Sequence, residues 1–281
     1  HILRERERER ASAGRVKMVM SVLLRYIYPP PPSVFITAMS AISAVSLANG
    51  GLMEIRGKHM QYSKFLNFSS QSQRITLPSR TGMLVVYTPA FLVSFASFSL
   101  FPDEGFRFVL LSSALTIHFF KRIFEVLFIH KYSGGMLIDA IIPISLSYFI
   151  STASMIYAQY LTEGFPEPQV DLKYAGIVMF LVGISGNLYH HYLLSRLREK
   201  GDKEYKVPKG GLFSLVICPH YLFEILGFIG VSCISQTLYA FSFTLGTTFY
   251  LMGRSYATRN WYLSKFENFS KDVKALIPYV F

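Results

Sequence analysis

Four groups of polar side chains interrupt the apolar runs of this chain, and their types and spacing limit the chemistry open to it. His118, Lys121, Arg122 and Glu125 recur at spacings of three, four and seven, which puts most of them on one helix face. Asn187, His191 and Arg198 form a second stripe at i, i+4 and i+11, while His190 points elsewhere and reads as interfacial. His220, Tyr221 and Glu224 follow Pro219, a residue that frees the carbonyl of Leu215 and can open a helix locally. Arg254, Arg259, Asn260, Trp261 and Tyr262 make the fourth group. Plain structural roles exist for parts of this set, such as an i,i+4 pair between Lys121 and Glu125 or an interhelical hydrogen bond from Asn187. As a set, ionisable groups inside apolar helices must meet a counter-charge or line a cavity, and by default they mark a site. The inventory is rich in cations, amides and phenols and poor in carboxylates. That suits an anionic, aromatic cofactor such as a dinucleotide better than a metal. Only the adjacent pair His190–His191 approaches a metal box, and helix neighbours do not face one ligand.

The stretch 198–211 adds Arg198, Lys200, Lys203, Lys206 and Lys209 beside Tyr205, and ends in Gly210-Gly211 before the next apolar run. Cations in such a loop set topology in any membrane protein. A glycine-rich helix start also suits a phosphate. Neither a G-x-G-x-x-G nor a P-loop pattern is present, so a Rossmann domain is excluded.

The elements that must position these groups follow from the bulk pattern. Of 281 residues, 51% are hydrophobic and only 16% charged, with a net charge of +11 collected between apolar runs. Seven runs approach the ~20 residues that cross a bilayer. They lie at about 34–53, 83–101, 106–129, 136–160, 174–197, 212–233 and 235–257. The connections alternate between basic and acidic, so the basic loops and the C-terminus are expected in the cytosol. The expected fold is therefore an all-α polytopic membrane domain over 34–257, with a cytosolic tail at 258–281 and no strands. Residues 1–33 read as an N-terminal extension and Pro-rich lead-in. Within it the Arg-Glu alternation of 1–17 reads as an upstream extension or disordered tail, with Met18 or Met20 as the natural start. Cys218 and Cys233 share one predicted helix and cannot pair within it.

Asn187-x-x-x-His-Tyr, then Ser-Arg-Leu-Arg, then Tyr205-Lys206-x-Pro-x-Gly-Gly-Leu-Phe, then Glu224, and finally Trp261-Tyr262-Leu263 with Lys-Ala-Leu-Ile-Pro-Tyr-Val-Phe, resemble the steroid 5α-reductase family. The resemblance covers about 83–281, its C-terminal domain about 130–281, and looks like a plant-type member. It implies a multi-pass endoplasmic-reticulum enzyme that uses NADPH to reduce a carbon–carbon double bond conjugated to a carbonyl. It also implies that Arg122, Asn187, Arg198, Tyr205, Lys206, His220, Glu224, Arg254 and Tyr262 line the cofactor, although steroid-active members carry Asn where His220 stands. Those members also place a Gln-Glu pair where Val86-Tyr87 stands, and a Tyr where Phe119 stands. The His-Phe-Phe-Lys-Arg and Cys-Pro-His-Tyr segments instead look like those of the trans-2-enoyl-CoA reductases, which implicates Lys121 and Tyr221 in catalysis.

The sequence therefore predicts an NADPH-dependent oxidoreductase acting on the CH-CH group of a lipid, either a 3-oxo-Δ4-steroid or a trans-2-enoyl-CoA. Tyr221 and Lys121 are expected near the carbonyl, with Tyr87 as a third candidate. No metal and no nucleic acid is expected. Two other readings stay open: an S-adenosylmethionine-dependent membrane methyltransferase, and an inactive membrane scaffold of the same fold.

Overall fold

The structure, a computed structural model, describes residues 20–60, 62–65, 75–132, 134–197 and 204–281, with Gly14 and Met18 besides. Arg198, most of the Arg-Glu stretch and the 66–74 part of the first connection lie outside the described residues. Seven long helices run through the rest: α1 (Val34–Ile55), α2 (Ser79–Leu100), α3 (Phe106–Phe124), α4 (Ile138–Tyr160), α5 (Lys173–Arg196), α6 (Pro219–Ser235) and α7 (Leu238–Lys265). Of these, α1, α2, α4 and α5 are long and apolar enough to cross a membrane. Large apolar side chains such as Leu92, Phe95, Val178 and Leu181 face outward on them, as they do where lipid is the solvent. The chain is an all-α membrane protein.

Local chemistry explains most boundaries. Ser33 caps α1, its hydroxyl accepting from the Ile36 N–H at 3.3 Å, and Thr237 caps α7 in the same way. The helix α3 passes into a π-turn at Glu125–Ile129, so the run ends where its apolar residues end. Small residues set the helix pairing. A Cβ on Gly183 of α5 would stand 2.4 Å from the Gly227 nitrogen of α6, and one on Gly253 of α7 would stand 2.1 Å from the Gly51 carbonyl of α1. The α5–α6 and α1–α7 pairs are therefore in backbone contact, which small residues permit in membrane bundles.

Three expectations are corrected. The sixth run does not become helix at Leu212. Gly211–Ser214 forms a single 3-10 turn, and Ile217 and Cys218 donate to the carbonyls of Lys274 and Ala275 at 2.9 and 3.2 Å. The C-terminal segment thus holds this stretch extended until Pro219 starts α6. The Leu215 carbonyl accepts from the Lys274 N–H at 2.9 Å. The last helix runs past Ala257 to Lys265, because Arg259 draws the tail back along it by donating to the Val273 and Lys271 carbonyls, each at 2.7 Å. Finally, strands do exist: β1 (Thr76–Pro78) and β2 (Gly135–Leu137) pair antiparallel and join the starts of α2 and α4.

Candidate functional site

Near the C-terminal end of α3, four helices contribute to one buried polar network. Glu125 is fully buried and is met by Arg122 at 2.7 Å, Lys121 at 3.0 Å and His191 Nδ1 at 3.0 Å. Arg122 also lies 3.0 Å from His191 Nδ1, so that nitrogen accepts from Arg122 in one tautomer and donates to Glu125 in the other. The other terminal guanidinium nitrogen of Arg122 donates to the Tyr87 hydroxyl at 2.5 Å. Lys121 donates to Asn187 Oδ1. The Asn187 amide in turn donates to the His220 carbonyl at 2.7 Å and to Glu224 at 3.3 Å. Buried charges survive only when paired and hydrogen-bonded in this way.

The network borders the first of three adjoining cavities. A polar one of about 270 Å³ is lined by Tyr87, Arg122, His191, His220, Tyr221 and Glu224 among others. It adjoins a basic one of about 220 Å³ bounded by Lys64, Lys131, Tyr205, Lys206 and Tyr262, the two sharing His130, Tyr132, Leu194 and Tyr205. On its other side lies an apolar cavity of about 620 Å³ between α1, α4, α6 and α7, with Tyr62, Tyr148, Glu224 and Tyr250 on the shared wall. The sequence of compartments is basic, polar, apolar. His130, in the loop after α3, has its pKa lowered to about 4, first by burial and then by Arg122.

The expected site residues fall into three places. Tyr87, Tyr221, Arg122, His220 and Glu224 line the polar cavity, and Tyr205, Lys206 and Tyr262 the basic one. Lys121 and Asn187 stand behind the polar cavity, where they border only a side pocket of about 10 Å³ with His118. Arg254 also stands back. It pairs with Glu54 at 2.8 Å and lies over the Tyr62 and Phe65 rings at 4.4 and 4.2 Å. His190 is buried at 3% exposure, not interfacial. Its Nδ1–H donates to the Gly186 carbonyl at 2.7 Å and its Nε2 accepts from the Leu212 N–H at 3.1 Å. The amide after the glycine pair is therefore spent on His190.

Sequence reasoning missed Glu54, Tyr62, Tyr148 and Tyr250. Glu54 ends an apolar run beside a basic connection and looks like surface charge, yet it is 1% exposed and also bonds His59 at 2.7 Å. Its partner Arg254 is too distant in sequence for spacing to connect them.

Glu125, His130 and His191 present ligand atoms within 4.8 Å of one another, a spacing that a metal could use. Lys121 and Arg122 already neutralise Glu125, and a divalent cation there would face both. A nicotinamide dinucleotide fits the donor set better. Among the described residues His220 Nδ1 is buried without a partner beside the polar cavity, and lysines line the adjoining basic one.

Residues 135–281 match the family described as 3-oxo-5-alpha-steroid 4-dehydrogenase. The 3-oxo-5-alpha-steroid 4-dehydrogenase 2 of Macaca fascicularis is 28% identical over 85% of this chain and 95% of its own length. A steroid 5-alpha-reductase of Gossypium hirsutum is 43% identical over 38% of this chain and 42% of its own. The very-long-chain enoyl-CoA reductase of Dictyostelium discoideum is 26% identical over 81% and 78%.

Proposed function

Because the chain belongs to the 3-oxo-5-alpha-steroid 4-dehydrogenase family, we propose that it is an NADPH-dependent reductase of a carbon–carbon double bond conjugated to a carbonyl in a lipid. The observation that carries this reading is the order of the three cavities. A basic compartment suits phosphates, a polar one suits the reacting groups, and an apolar one of about 620 Å³ falls within the size range of small-molecule sites. We place the enzyme in the endoplasmic-reticulum membrane with its C-terminus in the cytosol, where the basic loops face the cofactor supply.

Lys206, Tyr205, Tyr262 and Arg198 would hold the phosphate end of NADPH, and Arg122, His220 and Glu224 its nicotinamide end. Asn187 would position His220 and Glu224 through its two hydrogen bonds. Arg254, held by Glu54, would fix the Tyr62 wall. When bound, NADPH supplies a hydride to the β-carbon of the substrate.

The protein's task is to stabilise the charge that then develops on the carbonyl oxygen. Preorganised donors in a water-poor site do this best. Tyr221 and Tyr87 both line the polar cavity. Tyr87 accepts from Arg122, which strengthens it as a donor through cooperative polarisation. Lys121 serves both from behind, by holding Glu125 and Asn187.

The proposed substrate is a 3-oxo-Δ4-steroid or a trans-2-enoyl-CoA; the relatives' names carry a 3-oxo-5-alpha-steroid and an enoyl-CoA. Membranes containing the protein, incubated with NADPH and a panel of both, should oxidise NADPH with at least one member. Thermal stabilisation by S-adenosylmethionine instead of NADPH would sink this reading in favour of methyl transfer.

A further inference from the structure

Tyr62, Tyr148, Glu224 and Tyr250 are the hydrogen-bonding side chains that border both the polar and the apolar cavity. A substrate with an apolar body and a reacting carbonyl must cross this junction. Tyr62 lies under the Arg254 guanidinium, Glu224 accepts from Asn187, and the Tyr250 ring covers Gly50 of α1. Tyr148 is placed differently. Its ring lies 5.7 Å from that of Tyr87 and meets Phe119 edge-on at 5.6 Å. Its hydroxyl makes no hydrogen bond with any described residue, and the half-buried side chain lines both cavities. One helical turn earlier on α4, the Ser145 hydroxyl donates to the Val85 carbonyl of α2 at 2.9 Å. That bond fixes the register of Tyr148 against Tyr87, two residues after Val85. Phe119 has no donor of its own.

We propose that the Tyr148 hydroxyl is a second hydrogen-bond donor to the substrate carbonyl, acting beside Tyr87 at the junction of the two cavities. The inference rests on the reading of the chain as a reductase of conjugated carbonyls. A carbonyl oxygen has two lone pairs and accepts two donors at once. As the enolate forms, both bonds strengthen, so the pair acts mainly in the transition state. Tyr148 stands on α4, Tyr87 on α2 and Tyr221 on α6. The carbonyl is thereby held where helices from both cavities meet, with the apolar body of the substrate left in the larger one.

Tyr148→Phe keeps the ring contacts and removes only the hydroxyl. Assayed with NADPH on the same steroid and enoyl-CoA panel, it should lose about 10²-fold in kcat/KM on the best substrate. The KM for NADPH should stay within about twofold, as should NADPH-dependent thermal stabilisation, because the variant touches only the carbonyl. An active wild type matched by an equally active Tyr148→Phe overturns the inference alone. Loss of turnover together with loss of NADPH-dependent stabilisation assigns Tyr148 to the fold and also overturns it. A wild type that oxidises no NADPH with any panel member overturns the reaction itself, and the inference falls with it.

Discussion

Helix α3 carries an arginine near each end, and the two live in opposite kinds of surroundings. Arg107 bonds Glu167 and Asp171, the latter at 2.9 Å, and donates to the Ile234 carbonyl at 2.7 Å and to Gln236 at 2.9 Å. Gln236 then ties in the Tyr26 and Val170 carbonyls and the Leu172 amide. Each donor nitrogen of Arg107 ends on a protein oxygen, and four chain segments converge there. Arg122, fifteen positions later, is paired just as firmly to Glu125, but it borders a cavity. Around it stand Tyr87, which still has a proton to give, and His220, whose Nδ1 has no partner among the described residues. A saturated network anchors a fold. A network with unused donors and acceptors facing a cavity can bind something.

The comparison breaks most visibly by substitution at its saturated end. Arg107→Ala leaves the buried Ile234 carbonyl and Gln236 Oε1 without their donor and should destabilise the protein by about 1–3 kcal/mol. Protein that still folds should keep its wild-type KM for NADPH. Thermal melts and cofactor titrations check the two halves, and a folded Arg107→Ala enzyme with altered NADPH affinity would erase the distinction between the ends.

At the other end, Tyr221→Phe should act on turnover and leave stability nearly intact. If the hydroxyl works in the transition state, kcat should fall by about 10²-fold, equivalent to about 2.7 kcal/mol, at near-constant NADPH affinity. Wild-type turnover in that variant would leave Tyr87 as the principal donor. Lys206→Ala and Arg198→Ala should each raise the KM for NADPH by about one to two decades, the effect of a lost charge-assisted contact of about 1.5–3 kcal/mol. The KM for the lipid should change less, and unchanged cofactor dependence in both would remove the phosphate assignment.

The smallest effect is a pH dependence of the Arg107 end. Burial opposes the charge on Glu167 and Asp171. Their hydrogen bonds, from Arg107 to Glu167 and from Lys173 and Arg107 to Asp171, outweigh it, so both carboxyls titrate below their usual range. Their contribution to stability is therefore present above the unfolded pKa of about 4 and is lost as pH falls below it. Glu167 is more than half exposed, so the contribution is modest. The melting temperature should drop more steeply below about pH 4 in the wild type than in Glu167→Gln, and identical acid slopes would show that the carboxylate adds nothing.

How much of this was legible in the sequence depends on range. The apolar runs placed α1, α3 with its π-turn, and α5 closely, because hydropathy is local. The start of α6 was not legible: Leu212–Cys218 is apolar enough for helix, and only the returning Lys274–Ala275 segment holds it extended. The stripes on α3 and α5 were correctly brought together, since Lys121–Glu125 and Asn187–His191 follow helix periodicity. Glu54 with Arg254, and Tyr148 with Tyr87, are contacts between distant parts of the chain with no spacing to announce them. His190 looked idle because its partners, Gly186 and Leu212, are backbone groups.

The central claim is that a hydride and a conjugated carbonyl meet where the polar and apolar cavities join. NADPH deuterated at the transferable position of the nicotinamide ring, incubated with the best lipid substrate of the panel, tests it most directly. One deuterium is expected on the β-carbon of a saturated product, and none in a sample lacking the protein. Unlabelled product, deuterium at the α-carbon, or unchanged lipid with every substrate class would contradict it.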